Sequence, residues 1–269
     1  VLPASRRNEG IGYYGLSNNL ASAIAPMAGL YIYHNTNNFS IIFWTALIVA
    51  GIGLALAQTI QAPSHPVERT SRPLSLDRFF LRRGWFLAFN ILFFGLCWGI
   101  LSSYLAIYGK ERLGITGGTG TFFLLLSAGL ILSRLQGAKS LRQGRLLPNA
   151  TEGVVLSTIG YVMFVAWPTM TGYYISAILI GLGNGHMWPA FQNMIITIAK
   201  HNERGTANST ILTAWDLGMG GGVLVGGVIA EHFGYDSTFR TMAALHIIAL
   251  AIYLMLTHHK FRNLTNKQI

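Results

Sequence analysis

Charge is in short supply here: only 10% of the 269 residues are Asp, Glu, Lys or Arg, where an ordinary soluble domain carries about 25%. With 52% hydrophobic residues, that shortage argues against a water-soluble globule. Acids are the scarcest, 9 against 19 Lys and Arg. A net charge of +10 can signal nucleic-acid binding, but these cations sit in short gaps between apolar runs rather than on a dense basic face with interleaved aromatics. No nucleic-acid partner is expected. Cysteine is nearly absent: Cys97 alone, inside an apolar run, excludes an intrachain disulfide and a CxxC zinc pair. No HExxH segment occurs either, so neither a metal nor a cofactor is expected. An aspartyl intramembrane protease needs two buried acids that share a proton, and Asp216 is the single acid well inside an apolar run. An enzyme is therefore not expected.

Apolar runs are what the chain has in quantity. Eight can be marked, at 11–33, 39–60, 85–108, 118–136, 150–168, 171–197, 206–230 and 237–257, each long enough to cross about 30 Å of hydrocarbon as a helix. The expected fold class is an all-α membrane protein, a polytopic transmembrane helix bundle of about eight spans. An even number of spans puts both ends on one side, and the loops can be tested for charge bias. Of the 19 Lys and Arg, 16 fall on the side of the two ends, and only Lys110, Arg112 and Arg240 fall on the other. That bias makes both ends cytoplasmic and accounts for the net charge through topology and anionic lipid. The segment 61–84, with three prolines and five arginines, reads as a cytoplasmic loop between an amino-terminal part, 1–60, and a six-run bundle, 85–257. Residues 258–269 read as a cytoplasmic tail.

Transporters are commonly built from repeated bundles, and a repeat is visible. Asn19-Leu20-Ala21 is followed by Ala25, Pro26 and Gly29; Asp216-Leu217-Gly218 is followed by Gly222, Val223 and Gly226 at the same spacing. Three local motifs accompany it. Ala21-x-x-x-Ala25-Pro26-Met27-Ala28-Gly29-Leu30 is similar to the drug-antiporter signature of helix five in the major facilitator superfamily. Gly137, Arg142, Gly144 and Arg145 match that family's cytoplasmic loop motif between helices eight and nine, with Leu141 in place of the acid. Gly181-x-Gly183-x-Gly185-x-x-x-Pro189 resembles its glycine-rich helix ten. The whole chain thus resembles helices five to twelve of a twelve-helix carrier of the drug or sugar efflux type, with 61–84 as the central loop. This resemblance implies that the first four helices are missing, and that the protein lies in a bacterial inner (plasma) membrane.

Small residues four apart let helix backbones approach closely in lipid, so Gly218, Gly222 and Gly226 are expected to form a packing or sliding face. Pro26, Gly29 and Pro189 are expected to mark bends or gates. Counting about ten residues from Thr206 at about 1.5 Å each puts Asp216 near mid-bilayer, where a carboxylate costs about 2.5–3.5 kcal/mol to insert. It is the candidate for coupling to protons or to substrate, while Asn19 at the equivalent place shows that a neutral polar group is tolerated there. Asn184, His186, Gln192 and Asn193 crowd one apolar run around Trp188. With Asn90, Trp98 and Tyr104, which the resemblance brings to the same cavity, they are the candidate solute-lining set. The expected function is alternating-access transport of a small molecule, as proton-coupled efflux of a drug or sugar-like compound. An importer or uniporter of the same fold, and a non-transporting eight-span remnant, are the alternatives.

Overall fold

Lipid offers no hydrogen-bond partner, so a chain that crosses it must satisfy its backbone internally. The computed structural model describes residues 21, 24–25, 28–29, 31–33, 35–60, 80–115 and 119–266, the side chains of 138, 139, 141, 142 and 201 excepted. Among these residues there are helices and short turns but no strand. The chain divides into two units, Val1–Pro73 and Leu74–Ile269.

In the first unit, the described residues between 21 and 36 are helical. Asn37 takes a left-handed conformation (φ 49°), which asparagine tolerates better than most residues. Asn38 then caps α1 (Phe39–Gln58), its side chain accepting from the Ser40 N–H at 2.9 Å. No residue of α1 is buried within its unit. A helix apolar on every side is covered by lipid or by other helices.

The second unit holds α2 (Trp85–Leu113), α3 (Gly120–Arg142), α4 (Leu146–Ala166), α5 (Met170–Ile198), α6 (Arg204–Ile252) and α7 (His258–Asn266), with a π turn at Tyr253–Thr257. Gly114 (φ 67°) ends α2, and the Ile115 N–H closes the cap on the Gly109 carbonyl at 3.0 Å. Gly144 (φ 73°) makes the tight turn from α3 to α4, which is a physical reason for a glycine at that place in the loop motif. Between α5 and α6, Glu203 accepts from the Lys200 N–H at 3.0 Å and pairs with Arg83. The Lys200 N–H chiefly, then the Arg83 charge, hold the Glu203 carboxyl below the usual carboxylate range.

α6 contains two spans rather than one. Gly234 is non-helical (φ 78°, ψ 166°), and Thr238 Oγ1 donates to the Gly226 carbonyl at 3.4 Å. In a straight helix those residues would stand about 18 Å apart, so the limbs on either side of Gly234 are neighbours. This break falls between the runs 206–230 and 237–257. Every run from 39 onward is therefore met by a helix or helix limb, while the run 11–33 lies largely outside the described residues. Length and hydropathy alone pick out only five spans, because both limbs of α6 merge into one and α5 is not among them. The polar residues of α5 lower its hydropathy.

Glycine faces bring these helices together. α2 and α6 are the most extensively packed pair, and Gly95 and Gly99 stand opposite Gly218 and Gly222 of the first limb. A Cβ on Gly95 would lie 2.6 Å from the Trp215 carbonyl, and one on Gly222 would collide with the Leu96 backbone. α5 sits against both α3 and α4: a Cβ on Gly181 would strike the Leu126 carbonyl, and one on Gly183 the Ser157 backbone. We expect Gly222→Ala to cost about 1–3 kcal/mol through overpacking, whereas Gly220→Ala, which meets nothing within 4 Å, carries no such cost and gains up to about 1 kcal/mol of helix propensity. Thermal unfolding of both variants in detergent checks this, and equal melting would mean that the seam is loose.

Candidate functional site

The α2 and α6 seam sets the register of two tryptophans. Trp98 on α2 and Trp215 on α6 stand 6.2 Å apart between ring centroids, and Trp188 of α5 meets Trp215 edge-on at 4.9 Å. All three are half-buried. Asp216 follows Trp215 and is exposed, on the side of α6 that carries Leu217 and Leu224 and lies away from the glycine face. Three rings from three helices thus meet at this place in the bundle.

The remaining residues singled out in the sequence divide between this face and the interior. Gln192 is half-buried one turn beyond Trp188, and Asn193 is exposed, its amide donating to the Pro189 carbonyl at 2.8 Å. Tyr104 packs its ring against Gly226 and donates its hydroxyl to the Val223 carbonyl at 2.7 Å. Asn90 is fully buried and donates to the Ala249 carbonyl at 2.9 Å, tying α2 to the second limb of α6. His186 is also buried: its Nδ1 bonds to Asn149 Oδ1 at 2.9 Å, and the Asn149 amide donates to the His186 carbonyl at 3.2 Å. The oxygen can only accept, which puts a proton on Nδ1. Gly137 of the loop motif lies beneath that ring, where a Cβ would come within 2.8 Å of Nδ1. Gly144 forms the turn already described, and Arg145 bonds to Gln143. The Arg142 side chain and Pro26 lie outside the described residues, and Gly29 has nothing within 4 Å of its would-be Cβ.

Sequence reasoning missed a buried polar centre. His246, 1% exposed, bonds through Nε2 to Ser157 Oγ at 3.1 Å and through Nδ1 to Thr158 Oγ1 at 3.0 Å. Ser157 in turn donates to Asn184 Oδ1 at 3.1 Å, so Asn184 turns inward rather than toward the tryptophans. Tyr161 stacks on the imidazole at 4.3 Å and Phe94 lies 5.2 Å from it. With the ring neutral, Nε2–H donates to Ser157, and Thr158 divides its one proton between Nδ1 and the Val154 carbonyl at 2.7 Å. The centre joins α4, α5 and α6. Its only sequence signal was a lone histidine within the apolar run 237–257.

An apolar exterior, glycine seams and hydrogen-bonded polar groups inside define an integral membrane protein of the helix-bundle class. A family model described as Major Facilitator Superfamily matches residues 1–151 and 150–268, and the chain belongs to that superfamily. It is 26% identical over 186 residues to the multidrug resistance protein MdtG of Escherichia fergusonii, covering 65% of this chain and 44% of that protein. It is 27% identical over 177 residues to the multi-drug resistance efflux pump PmrA homolog of Lactococcus lactis subsp. lactis, covering 63% of this chain and 42% of that protein. The chain thus spans less than half the length of these curated relatives. The crystal structure of the human organic anion transporter MFSD10 (TETRAN) superposes with a TM-score of 0.58 at 16% identity, over 69% of this chain and 43% of that one, which is a likeness of fold. Membership marks a transporter family rather than an enzyme.

Removing the imidazole takes one hydrogen bond each from Ser157 and Thr158, which keep Asn184 Oδ1 and the Val154 carbonyl as partners. We expect His246→Ala to cost about 0.5–1.5 kcal/mol for each of the two hydrogen bonds lost, beyond the loss of ring packing, and His246→Gln, which keeps a donor and an acceptor, to cost less. Melting temperatures in detergent measure the difference; equal losses in the two variants would show that ring packing, not hydrogen bonding, is what the site supplies.

Proposed function

We propose that this chain is the later part of a secondary active transporter that moves a small molecule by alternating access, as proton-coupled efflux of a drug or sugar-like compound. The observation that carries the reading is the Trp98, Trp188 and Trp215 cluster, with the exposed Asp216 next to Trp215 in the chain. The rings offer a solute an apolar, polarizable wall, and Gln192 and Asn193 supply hydrogen-bonding groups near it. Asp216 is the coupling group. An unprotonated carboxylate attracts a cationic or hydrogen-bonding solute, and protonation on the other side of the membrane removes that attraction and releases the solute. The names of the relatives, which include a multidrug efflux pump, support export over import.

In the same reading, 61–84 is the cytoplasmic loop between two bundles and 258–269 a cytoplasmic tail. Both ends of the chain lie in the cytoplasm of a bacterial cell in this reading, which the skew of 16 among 19 Lys and Arg supports. Gly218, Gly222 and Gly226 act as the face along which helices shift, and Pro189 as a gate in α5. The test is uptake of ethidium into inverted membrane vesicles driven by a pH gradient. Asp216→Asn should abolish gradient-driven accumulation with the amount of inserted protein unchanged, and Trp215→Ala should lower it about tenfold or more. Gradient-driven accumulation by Asp216→Asn equal to that of the unaltered protein would refute the coupling role.

A further inference from the structure

Past the second limb of α6 the helix widens into the π turn at Tyr253–Thr257, and Thr257 Oγ1 reaches the Phe86 carbonyl of α2 at 3.4 Å. α7 follows, held down by Phe261, 3% exposed and part of the core, and by Leu264 packed against the same cluster. This docking opens a cleft of about 300 Å³ between the start of α2 and α7, lined by Arg83, Trp85, Phe86, Lys260, Asn263 and Leu264. The Lys260 ammonium sits 4.3 Å above the Trp85 ring. Among the described residues no carboxylate pairs with Lys260, and Arg83 is shared with Glu203. A guanidinium carries five N–H donors, so Arg83 can serve Glu203 and still present an edge to the cleft.

From these observations we propose that the cleft binds the headgroup of an anionic phospholipid. Its donors, an ammonium, an amide and a guanidinium edge, suit a phosphodiester. Its other walls, Trp85, Phe86 and Leu264, suit the glycerol backbone and the first acyl carbons, and tryptophan is at home at that depth. A free phosphate would satisfy the donors but would leave the apolar walls wet. A second cleft nearby, lined in part by His258, Arg262 and Glu152, has a carboxylate among its groups and serves as the control. The lipid would clamp α7 to the start of α2.

The test is native mass spectrometry of the delipidated chain in detergent with phosphatidylglycerol or phosphatidylcholine added. Phosphatidylglycerol should be retained at least about fivefold over phosphatidylcholine, the discrimination expected of one surface cation. Lys260→Ala should remove most of that preference, and Arg262→Ala should leave it. Equal retention of the two lipids by the unaltered chain overturns the proposal without recourse to any variant. So does an unchanged preference in Lys260→Ala. If sodium phosphate or glycerol 3-phosphate displaces phosphatidylglycerol at equal concentration, the cleft is a free-phosphate site and the lipid assignment falls.

Discussion

Between α2 and the first limb of α6 the backbones come so close that a single methyl group would not fit. Lipid gives helices no hydrophobic reason to associate, so dispersion and backbone contact must do so, and both scale steeply with distance. Gly95 and Gly99 on one helix, and Gly218 and Gly222 on the other, allow that approach. Everything on the candidate solute face follows from it. The register fixed by Gly95 against the Trp215 carbonyl brings Trp98 and Trp215 within ring contact. It also turns Asp216 to the opposite side of α6, clear of the packed face.

The interior is organised by a second constraint, the cost of unpaired polar groups in a medium without water. The second limb of α6 carries His246 into contact with Ser157 and Thr158 and presents the Ala249 carbonyl to Asn90. Asn149 and His186 clamp α4 to α5 in the same way. These bonds are directional where glycine packing is not, so they can specify which of several smooth helix faces belong together. The polar groups of the bundle thus do two different jobs. Those inside set its arrangement, while Asp216, Gln192 and Asn193 remain partly or fully open on its outside.

Most spans were legible in the sequence from length and apolarity, but α5 fell short on hydropathy because of its polar residues, and the last two runs were separable through the break that Gly234 makes between them. The glycine face at 218, 222 and 226 was legible from its spacing, and Gly144 from the loop motif. Which way a polar side chain points was not. A helix that is apolar on all sides has no amphipathic pattern to orient it, and so Asn90, Asn184 and His186 looked like lining residues although the structure turns them into the bundle. Trp215 was overlooked beside Asp216, and His246 because a single histidine carries no spacing. Their roles depend on partners 27 to 159 positions away, which no local pattern reveals.

The proposed transport function stands or falls on exchange of a proton for solute at Asp216. Its most direct measurement is proton release from the detergent-solubilised protein in weak buffer when ethidium is added, read with a pH-sensitive dye while tryptophan fluorescence reports binding. The account predicts quenching together with proton release in the unaltered protein, and quenching without release in Asp216→Asn. The same proton release from both proteins would contradict it.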